Sequence, residues 1–247
     1  MAASYQEAAA LFKPRPRAIL FDAGFTLTFH DGPRLAAYAA KAGVAADAAA
    51  LEAAERALRE ELRETQGVRM RTHDDGGFKW HERLYRRLLD LAGTRGEAAS
   101  LDQAAATMLR EHRLSNAWRR IGAGVRESLE RLRAAGCKLA VVSNSEGTIE
   151  QMLTEIGLRP LFDAVLDSSI VGFTKPDPRI FQLALDRLGV SAADALMVGD
   201  SPSADIDGAH AVNIRAALID PYDLYPWSRA PRFNDVAALT EALLTSI

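Results

Sequence analysis

The amino-acid sequence predicts an α/β fold in which helices cover both faces of a parallel sheet and a bundle of four helices is inserted. After residue 122, short and nearly all-apolar segments alternate with helical segments of about ten residues, a pattern typical of a parallel sheet buried on both faces. Residues 33–119 show no strand pattern, and Ala, Leu, Glu and Arg recur there at helical spacing. These two observations separate the chain into a sheet-forming part and a helical part.

The first predicted strand is 18–22 (AILFD), and the following segment, GFTLTFHDGP, is rich in turn-forming residues. Helical segments come next. One ends at Gly43, others cover about 45–65 and 78–91, and the last opens at Ser100 with a capping-box pattern. The inserted part is therefore predicted to be a four-helix bundle.

Beyond the insertion, strands and helices are predicted to alternate up to residue 219. The predicted strands are 138–142, 162–166, 195–198 and 216–219. The predicted helices are 125–135, 148–156, 178–188 and 204–212. Because the first strand has the same buried character, one α/β core is assembled from 17–30 and 120–247, with a helical insertion at 31–119 and an N-terminal extension at 1–16.

Composition indicates an ordinary soluble globular protein. Of the 247 residues, 48% are hydrophobic and 26% charged, and the net charge of −3 gives no reason to bind nucleic acid or an anionic membrane. The N-terminal segment lacks a signal-peptide pattern, no apolar run is long enough to span a membrane, and Cys137 has no second cysteine to pair with. We expect a cytoplasmic protein, and the sequence does not indicate its oligomeric state.

Polar residues follow four of the predicted strands, at the edge where parallel α/β sheets bind ligands. They are three carboxylates, an amine, two hydroxyls and an amide: Asp22, Thr26, Ser143, Asn144, Lys175, Asp200 and Asp205. Carboxylates can hold Mg²⁺ or attack phosphorus, while an amine and the N–H groups of the helix after Asn144 can neutralise phosphate oxygens. The combination predicts a site for a phosphoryl group.

Four segments, in this order, resemble the haloacid dehalogenase superfamily of hydrolases: ILFDAGFTLT, AVVSNS, TKPDPRIF and ALMVGDSPSADIDGA. The resemblance covers about residues 17–220 and is to the subgroup with a helical cap inserted after the first strand. It implies a Rossmann-like core, a mobile four-helix cap, Mg²⁺ as cofactor and a small phosphorylated molecule as substrate.

The resemblance also implies roles for individual residues. Asp22 would be the nucleophile, Ser143 a phosphate ligand and Lys175 the positive charge that clamps both the phosphate and the nucleophile. Thr26 and Asn144 would bind substrate beside them.

On the metal side, Asp22 and Asp200 would ligate Mg²⁺, together with the backbone carbonyl of Gly24. Asp205 would support the metal's water shell or orient Lys175.

Gly24 departs from the pattern of the family's phosphatases, which carry a second aspartate two residues after the nucleophile. Phe25 then stands where glycine is usual. The missing carboxylic acid removes general acid–base catalysis, worth about 10²–10⁴ in rate. Other acids that could replace it are His30, Asp31 or a residue of the inserted helices.

Three functions stay open at this point. The first is a Mg²⁺-dependent phosphatase with an atypical acid–base step. The second is a carbon–halogen hydrolase, which needs no proton for its leaving group, or a phosphonate hydrolase, which needs an amine such as Lys41 or Lys79. The third is a protein that keeps the fold and binds a ligand without catalysis.

Overall fold

The computed structural model of the protein describes residues 12–69 and 78–245. The chain divides into two compact units, one formed by Met1–Phe29 and Ile121–Ile247 and the other by His30–Arg120. Most of the predicted N-terminal extension lies outside the described residues.

Eight strands occur in the described part of the chain: β1 (Ala18–Phe21), β2 (Thr28–Phe29), β3 (Arg120–Ile121), β4 (Lys138–Ser143), β5 (Ala164–Asp167), β6 (Ala195–Gly199), β7 (Arg215–Ile219) and β8 (Arg232–Phe233). Six of them form one sheet in the first unit, all parallel and in the order β5-β4-β1-β6-β7-β8. Strands β2 and β3 form a separate two-stranded sheet. The parallel sheet confirms the predicted α/β fold.

Ten α-helices occur in the described part of the chain. The four in the second unit are α1 (Gly32–Ala40), α2 (Ala48–Arg69), α3 (Phe78–Leu91) and α4 (Ala98–Leu114). The first unit contains α5 (Val125–Ala134), α6 (Ile149–Glu155), α7 (Ser168–Val171), α8 (Pro178–Leu188), α9 (Gly208–Ala211) and α10 (Val236–Leu244).

Strand β1 shows how the sheet is buried on both faces, because its side chains alternate between two apolar cores. Ile19 and Phe21 belong to the core that includes residues of α5, α6 and α10. Leu20 belongs to the opposite core, with Phe181 and Leu185 of α8. With helices packed on each face, the polar ends of the strands are the part of the sheet left for a ligand.

Several predicted boundaries are corrected by the structure. The predicted helix 204–212 is instead a π-helical turn at Pro202–Asp207 followed by the short α9, with Ser201 Oγ accepting a hydrogen bond from the Ala204 N–H. Strand β8 and helix α10 were not predicted. Asp235 caps α10 by accepting from the Ala238 N–H, a signal that is visible in the sequence.

The second unit is the predicted bundle of four helices, packed around buried Tyr85, Leu88 and Met108. Its last helix begins after Glu97, so the predicted capping box at Ser100 is wrong.

The two ends of this helical unit lie side by side. The Asp31 N–H donates to the Ala117 carbonyl (2.9 Å), and Arg120 Nε donates to the His30 carbonyl (3.0 Å). Within the described residues, no helix has the length and apolarity to cross a membrane.

Candidate active site

Asp22 lies directly after β1, in the middle of the sheet. Its backbone N–H donates to the Val198 carbonyl of β6 (2.8 Å), and its side chain is buried. The loop that follows folds back on itself, because the Leu27 and Thr28 N–H groups both donate to the Ala23 carbonyl (2.9 Å each). This closed turn holds the Asp22 carboxylate at the carboxyl edge of the sheet.

Lys175 is the centre of the site. Its Nζ lies 2.6 Å from Asp22 Oδ1 and 2.7 Å from Asp205 Oδ1, and the whole side chain is buried. Burial alone would lower the pKa of Lys175, but the two carboxylates outweigh it and hold the pKa above its ordinary value. The ammonium group is therefore charged at neutral pH.

The pKa of Asp22 is raised as well, and here burial is the main cause. Burial raises its pKa to about 7, with Asp205 and Asp200 adding to the rise and Lys175 opposing it. The neighbouring acids thus oppose ionisation of Asp22, and the Lys175 ammonium group favours it. A further cation at this place would relieve the repulsion between the carboxylates.

The residues present fit a magnesium ion. Asp22, Asp200 and Asp205 each offer a carboxylate oxygen, and these oxygens lie within 4.8 Å of one another. Ionised, the three carboxylates and the Lys175 ammonium carry a net charge of −2, which matches a divalent cation. Oxygen donors of this kind are the ligands that Mg²⁺ prefers.

Asp205 is held against the backbone of β6. Its Oδ2 accepts from the Ser201 N–H (2.9 Å), while its Oδ1 faces Lys175. A Cβ atom placed on Gly199 would lie 2.2 Å from Asp205 Oδ2, so only glycine leaves room for this carboxylate. Gly199 was not identified from the sequence as part of the site, although it stands directly before Asp200.

Asn144 uses its side chain on Lys175 rather than turning it to a ligand. The Lys175 N–H donates to Asn144 Oδ1 (2.8 Å), and Asn144 Nδ2 donates to the Lys175 carbonyl (3.0 Å). Each polar atom of the amide thus has one partner in the Lys175 backbone, and binding of substrate by Asn144 stays a prediction.

Ser143 and Thr26 stand at neighbouring strand ends. Ser143 is the last residue of β4, which pairs with β1, and it is buried. Thr26 is buried in the loop after Asp22, and its Oγ1 has no hydrogen-bond partner among the residues that the structure describes. The Ser143 hydroxyl thus lies at the end of the strand next to β1, and the Thr26 hydroxyl lies in the loop that begins at Asp22.

The helix after Asn144 differs from its predicted use. The Gly147 and Ile149 N–H groups at the start of α6 donate to the buried carboxylate of Asp167, at the end of β5. These N–H groups therefore already bind an anionic group, the Asp167 carboxylate of the protein itself. Asp167 was not singled out from the sequence, although it stands directly after the predicted strand 162–166.

Gly24 forms an isolated β-bridge with Thr28 and brings no carboxyl group to the site. The two nearby acids considered as substitutes have other partners. His30 is buried with Nδ1 3.0 Å from Glu55, and burial lowers its pKa, while Asp31 caps α1 by accepting from the Arg34 N–H.

The two amines considered for phosphonate chemistry gain no support. Lys41 Nζ lies 2.5 Å from Glu111 Oε2, and the Lys41 side chain is largely exposed. The side chain of Lys79 lies outside what the structure describes.

This fold and this site define a hydrolase of the haloacid dehalogenase-like class. The chain matches the family model described as haloacid dehalogenase-like hydrolase over residues 16–213, and it belongs to that family.

Two curated relatives illustrate the similarity. Haloacid dehalogenase-like hydrolase domain-containing protein 3 of Mus musculus is 42% identical over 49% of this chain and 49% of its own length. Phosphoserine phosphatase of Thermus thermophilus is 35% identical over 57% of this chain and 55% of its own length. The matches thus span about half the length of these relatives.

Solved structures also match along nearly the whole chain. A phosphatase of the family from Thermococcus onnurineus is 25% identical, with a TM-score of 0.58 over 92% of this chain and 97% of that one. A 2-haloacid dehalogenase from Pseudomonas syringae is 26% identical, with a TM-score of 0.58 over 94% and 100%. The fold is thus similar to those of both kinds of hydrolase.

Proposed function

We propose that the chain is a Mg²⁺-dependent phosphatase that acts on a small phosphorylated molecule through an aspartyl-phosphate on Asp22. One observation carries this proposal. Lys175 Nζ bridges Asp22 and Asp205 at 2.6 and 2.7 Å in a buried site that also contains Asp200. This arrangement supplies a carboxylate nucleophile beside a fixed positive charge. The similarity to the Thermus and Thermococcus phosphatases supports the same choice.

Asp22 would act as the nucleophile. A carboxylate oxygen forms a bond to phosphorus as the bond between phosphorus and the ester oxygen breaks, which leaves an acyl-phosphate and an alkoxide or aryl oxide. Water then attacks the acyl-phosphate, releases inorganic phosphate and regenerates the carboxylate. Lys175 would hold the Asp22 carboxylate in place and offset charge on the phosphoryl oxygens, with Ser143 and Thr26 as further ligands.

Magnesium would be held by Asp22, Asp200 and the backbone carbonyl of Gly24, with Asp205 supporting the metal's water shell or orienting Lys175. When bound, the ion neutralises charge on the phosphoryl oxygens.

Gly24 offers no carboxyl group to the first step, and His30 and Asp31 are engaged with other partners. The leaving oxygen would then take its proton from water or from a residue of the inserted helices. General acid catalysis lowers a barrier by about 3–5 kcal/mol, so substrates with poor leaving groups suffer most. We therefore expect aryl phosphates to be hydrolysed much faster than alkyl phosphates.

The test is phosphate release from an aryl phosphate with Mg²⁺ and with EDTA, for the natural chain and for Asp22→Asn. Turnover is expected only with Mg²⁺ and only with Asp22. Asp194→Asn, at an acid on a short helical turn away from the site, is the matched control and should keep full activity. Equal turnover by Asp22→Asn would reject the nucleophile assignment.

Gly24→Asp tests the acid–base argument separately. The new carboxyl group should raise turnover of alkyl phosphates more than turnover of aryl phosphates, since only the former need strong protonation. Unchanged selectivity between the two substrate classes would contradict the explanation built on Gly24.

A carbon–halogen hydrolase is the second candidate, and Gly24 is the observation that favours it, because a halide ion leaves without a proton. The similarity to the Pseudomonas dehalogenase agrees with this chemistry. The cluster of Asp22, Asp200 and Asp205 argues against it, since halide displacement needs no divalent cation. Halide release from a 2-haloacid, without phosphate release from esters, would favour this candidate.

We also propose a cytoplasmic location and no nucleic-acid partner. The chain has a single cysteine, Cys137, which is buried and free, and its net charge is −3. Neither property favours an oxidising compartment or a polyanionic partner.

A further inference from the structure

We propose that Asp167 is a positioning residue for the candidate phosphate site: its carboxylate fixes the loop of residues 144–149 that follows Ser143. This inference rests on the proposed function. The hydrogen bonds described for the Asp167 carboxylate all go to backbone N–H groups, and none goes to Asp22, Lys175 or Asp205.

The Asp167 carboxylate is the acceptor for three backbone N–H groups. Gly147 donates to both of its oxygens, at 3.0 Å to Oδ1 and 2.9 Å to Oδ2. Ile149 donates to Oδ2 (3.3 Å) and Ser169 donates to Oδ1 (3.0 Å). A buried carboxylate thus takes the place that a bound anion would occupy at the start of α6.

Ser168 makes a second connection to the same loop. Its Oγ accepts from the Ser145 N–H (3.0 Å) and donates to the Ser145 carbonyl (3.2 Å). Two consecutive residues, the last of β5 and the one after it, therefore hold Ser145 and Gly147 of the loop after β4. The loop is tied at several backbone atoms instead of being fixed only at its ends.

The register of the sheet explains why this contact reaches the site. Ser143 and Asp167 are paired neighbours at the carboxyl ends of β4 and β5. Asn144, the next residue, holds the backbone of Lys175 by two hydrogen bonds. Any shift of the loop is passed directly to Ser143 on one side and to Lys175 through Asn144.

Loss of the Asp167 carboxylate leaves the Gly147 and Ile149 N–H groups without their acceptor. Buried N–H groups seek other partners, so the loop is expected to relax away from its present course. Ser143 would then bind phosphoryl oxygens less well in both substrate and transition state. Because Asp22 and Asp205 still hold the Lys175 ammonium group, the effect falls mainly on Ser143. Such a loss of uniform binding raises KM more than it lowers kcat.

The experiment compares Asp167→Ala and Asp167→Asn with the natural chain, using an aryl phosphate and Mg²⁺. Asparagine keeps one acceptor oxygen and alanine keeps none, so the effects should be graded. We expect KM for the ester and the inhibition constant of inorganic phosphate to rise by about 10- to 100-fold in Asp167→Ala, and less in Asp167→Asn.

Asp163→Ala is the matched control. Asp163 precedes β5 at its opposite end, and its Oδ2 accepts from the Leu139 N–H of β4 (2.8 Å) and from Arg133 (3.0 Å). Asp163 joins β5 to β4, and Asp167 joins β5 to the loop after β4, so both variants should lower the melting temperature. Only the Asp167 variants should change KM and speed amide hydrogen exchange in residues 144–149.

The outcomes separate this inference from the proposed function. If the natural chain hydrolyses the ester and Asp167→Ala binds substrate and phosphate equally well, the positioning role is wrong and the function stands. If the natural chain hydrolyses no ester, calorimetry with inorganic phosphate and Mg²⁺ decides: weaker binding by Asp167→Ala supports the role. Equal binding, or no binding by either chain, overturns it.

Discussion

Two hydrogen bonds join Asn144 to Lys175, because both polar groups of the Asn144 side-chain amide bind the Lys175 backbone. Oδ1 of Asn144 accepts the Lys175 N–H at 2.8 Å, and Nδ2 donates to the Lys175 carbonyl at 3.0 Å. The backbone of the buried lysine is thereby fixed from the end of β4, and the side chain is fixed by Asp22 and Asp205. The position of the ammonium group depends on both constraints.

Asn144→Ala removes both hydrogen bonds to Lys175. Each such bond contributes about 0.5–1.5 kcal/mol to folding, so we expect a loss of about 1–3 kcal/mol together with a lower kcat on aryl phosphates. Urea unfolding and steady-state kinetics measure the two effects. Asn116→Ala removes a comparable contact to the Trp118 N–H within the helical unit, and its kcat should be much less affected than its stability. A kcat loss as large in Asn116→Ala would contradict the special role of Asn144.

Gly199→Ala should disable the site through a single methyl group. The new Cβ would lie 2.2 Å from Asp205 Oδ2, so the carboxylate must move and its contact with Lys175 is disturbed. We expect kcat/KM to fall by about 100-fold, as for other small misplacements of reacting groups. In Gly96→Ala the Cβ meets only the flexible end of Leu101, at 3.3 Å, and activity should persist. Full activity in Gly199→Ala would show that Asp205 has freedom to move.

Magnesium should stabilise the folded chain measurably. Binding at about 100 times the dissociation constant adds about 2.7 kcal/mol, which appears as a higher melting temperature. Asp200→Asn weakens the cluster while leaving both bonds of Lys175 in place, so the increase should shrink or vanish. Differential scanning fluorimetry with Mg²⁺ and with EDTA measures it, and Asp194→Asn should respond like the natural chain. If Mg²⁺ raised the melting temperature of Asp200→Asn as much as that of the natural chain, the ion would bind at another place.

His30 makes stability depend on pH. Burial holds its pKa below the ordinary value of about 6.5, so the unfolded chain binds a proton before the folded chain does as pH falls. Stability from this residue is complete above about pH 6.5 and is lost at lower pH, at up to about 1.4 kcal/mol per pH unit.

Urea unfolding of His30→Gln across the same pH range provides the comparison. The variant should lose part of the slope between pH 6.5 and 5. His210→Gln, at an exposed position on α9, should keep the slope of the natural chain. An unchanged slope in His30→Gln would mean that His30 is protonated in the folded protein.

The fold was predictable from the sequence wherever buried residues form a regular pattern along the chain. Buried strands read as apolar runs, and α8 was predicted with its boundaries because Asp177 and Pro178 mark its start. Strand β8 escaped prediction because two residues set no pattern, and the turn at 202–207 because π-helical and α-helical sequences look alike.

Within the site, too, some features could be predicted from the sequence and others could not. Asp22, Lys175, Asp200 and Asp205 could be anticipated because strand ends of a parallel sheet meet at one edge. The contacts made by Asn144 and Asp167 could not be anticipated. The amide of Asn144 holds a lysine backbone and the carboxylate of Asp167 holds a loop, and only three-dimensional distances reveal either.

The two ends of the helical unit are hydrogen-bonded to each other, by the Asp31 N–H to the Ala117 carbonyl and by the Arg120 side chain to the His30 carbonyl. A segment whose ends meet in this way can be lengthened, shortened or exchanged for another without pulling the flanking strands apart. His30–Arg120 is therefore a segment with natural boundaries for a chimera, in which another bundle replaces it while the sheet edge that holds Asp22 keeps its sequence.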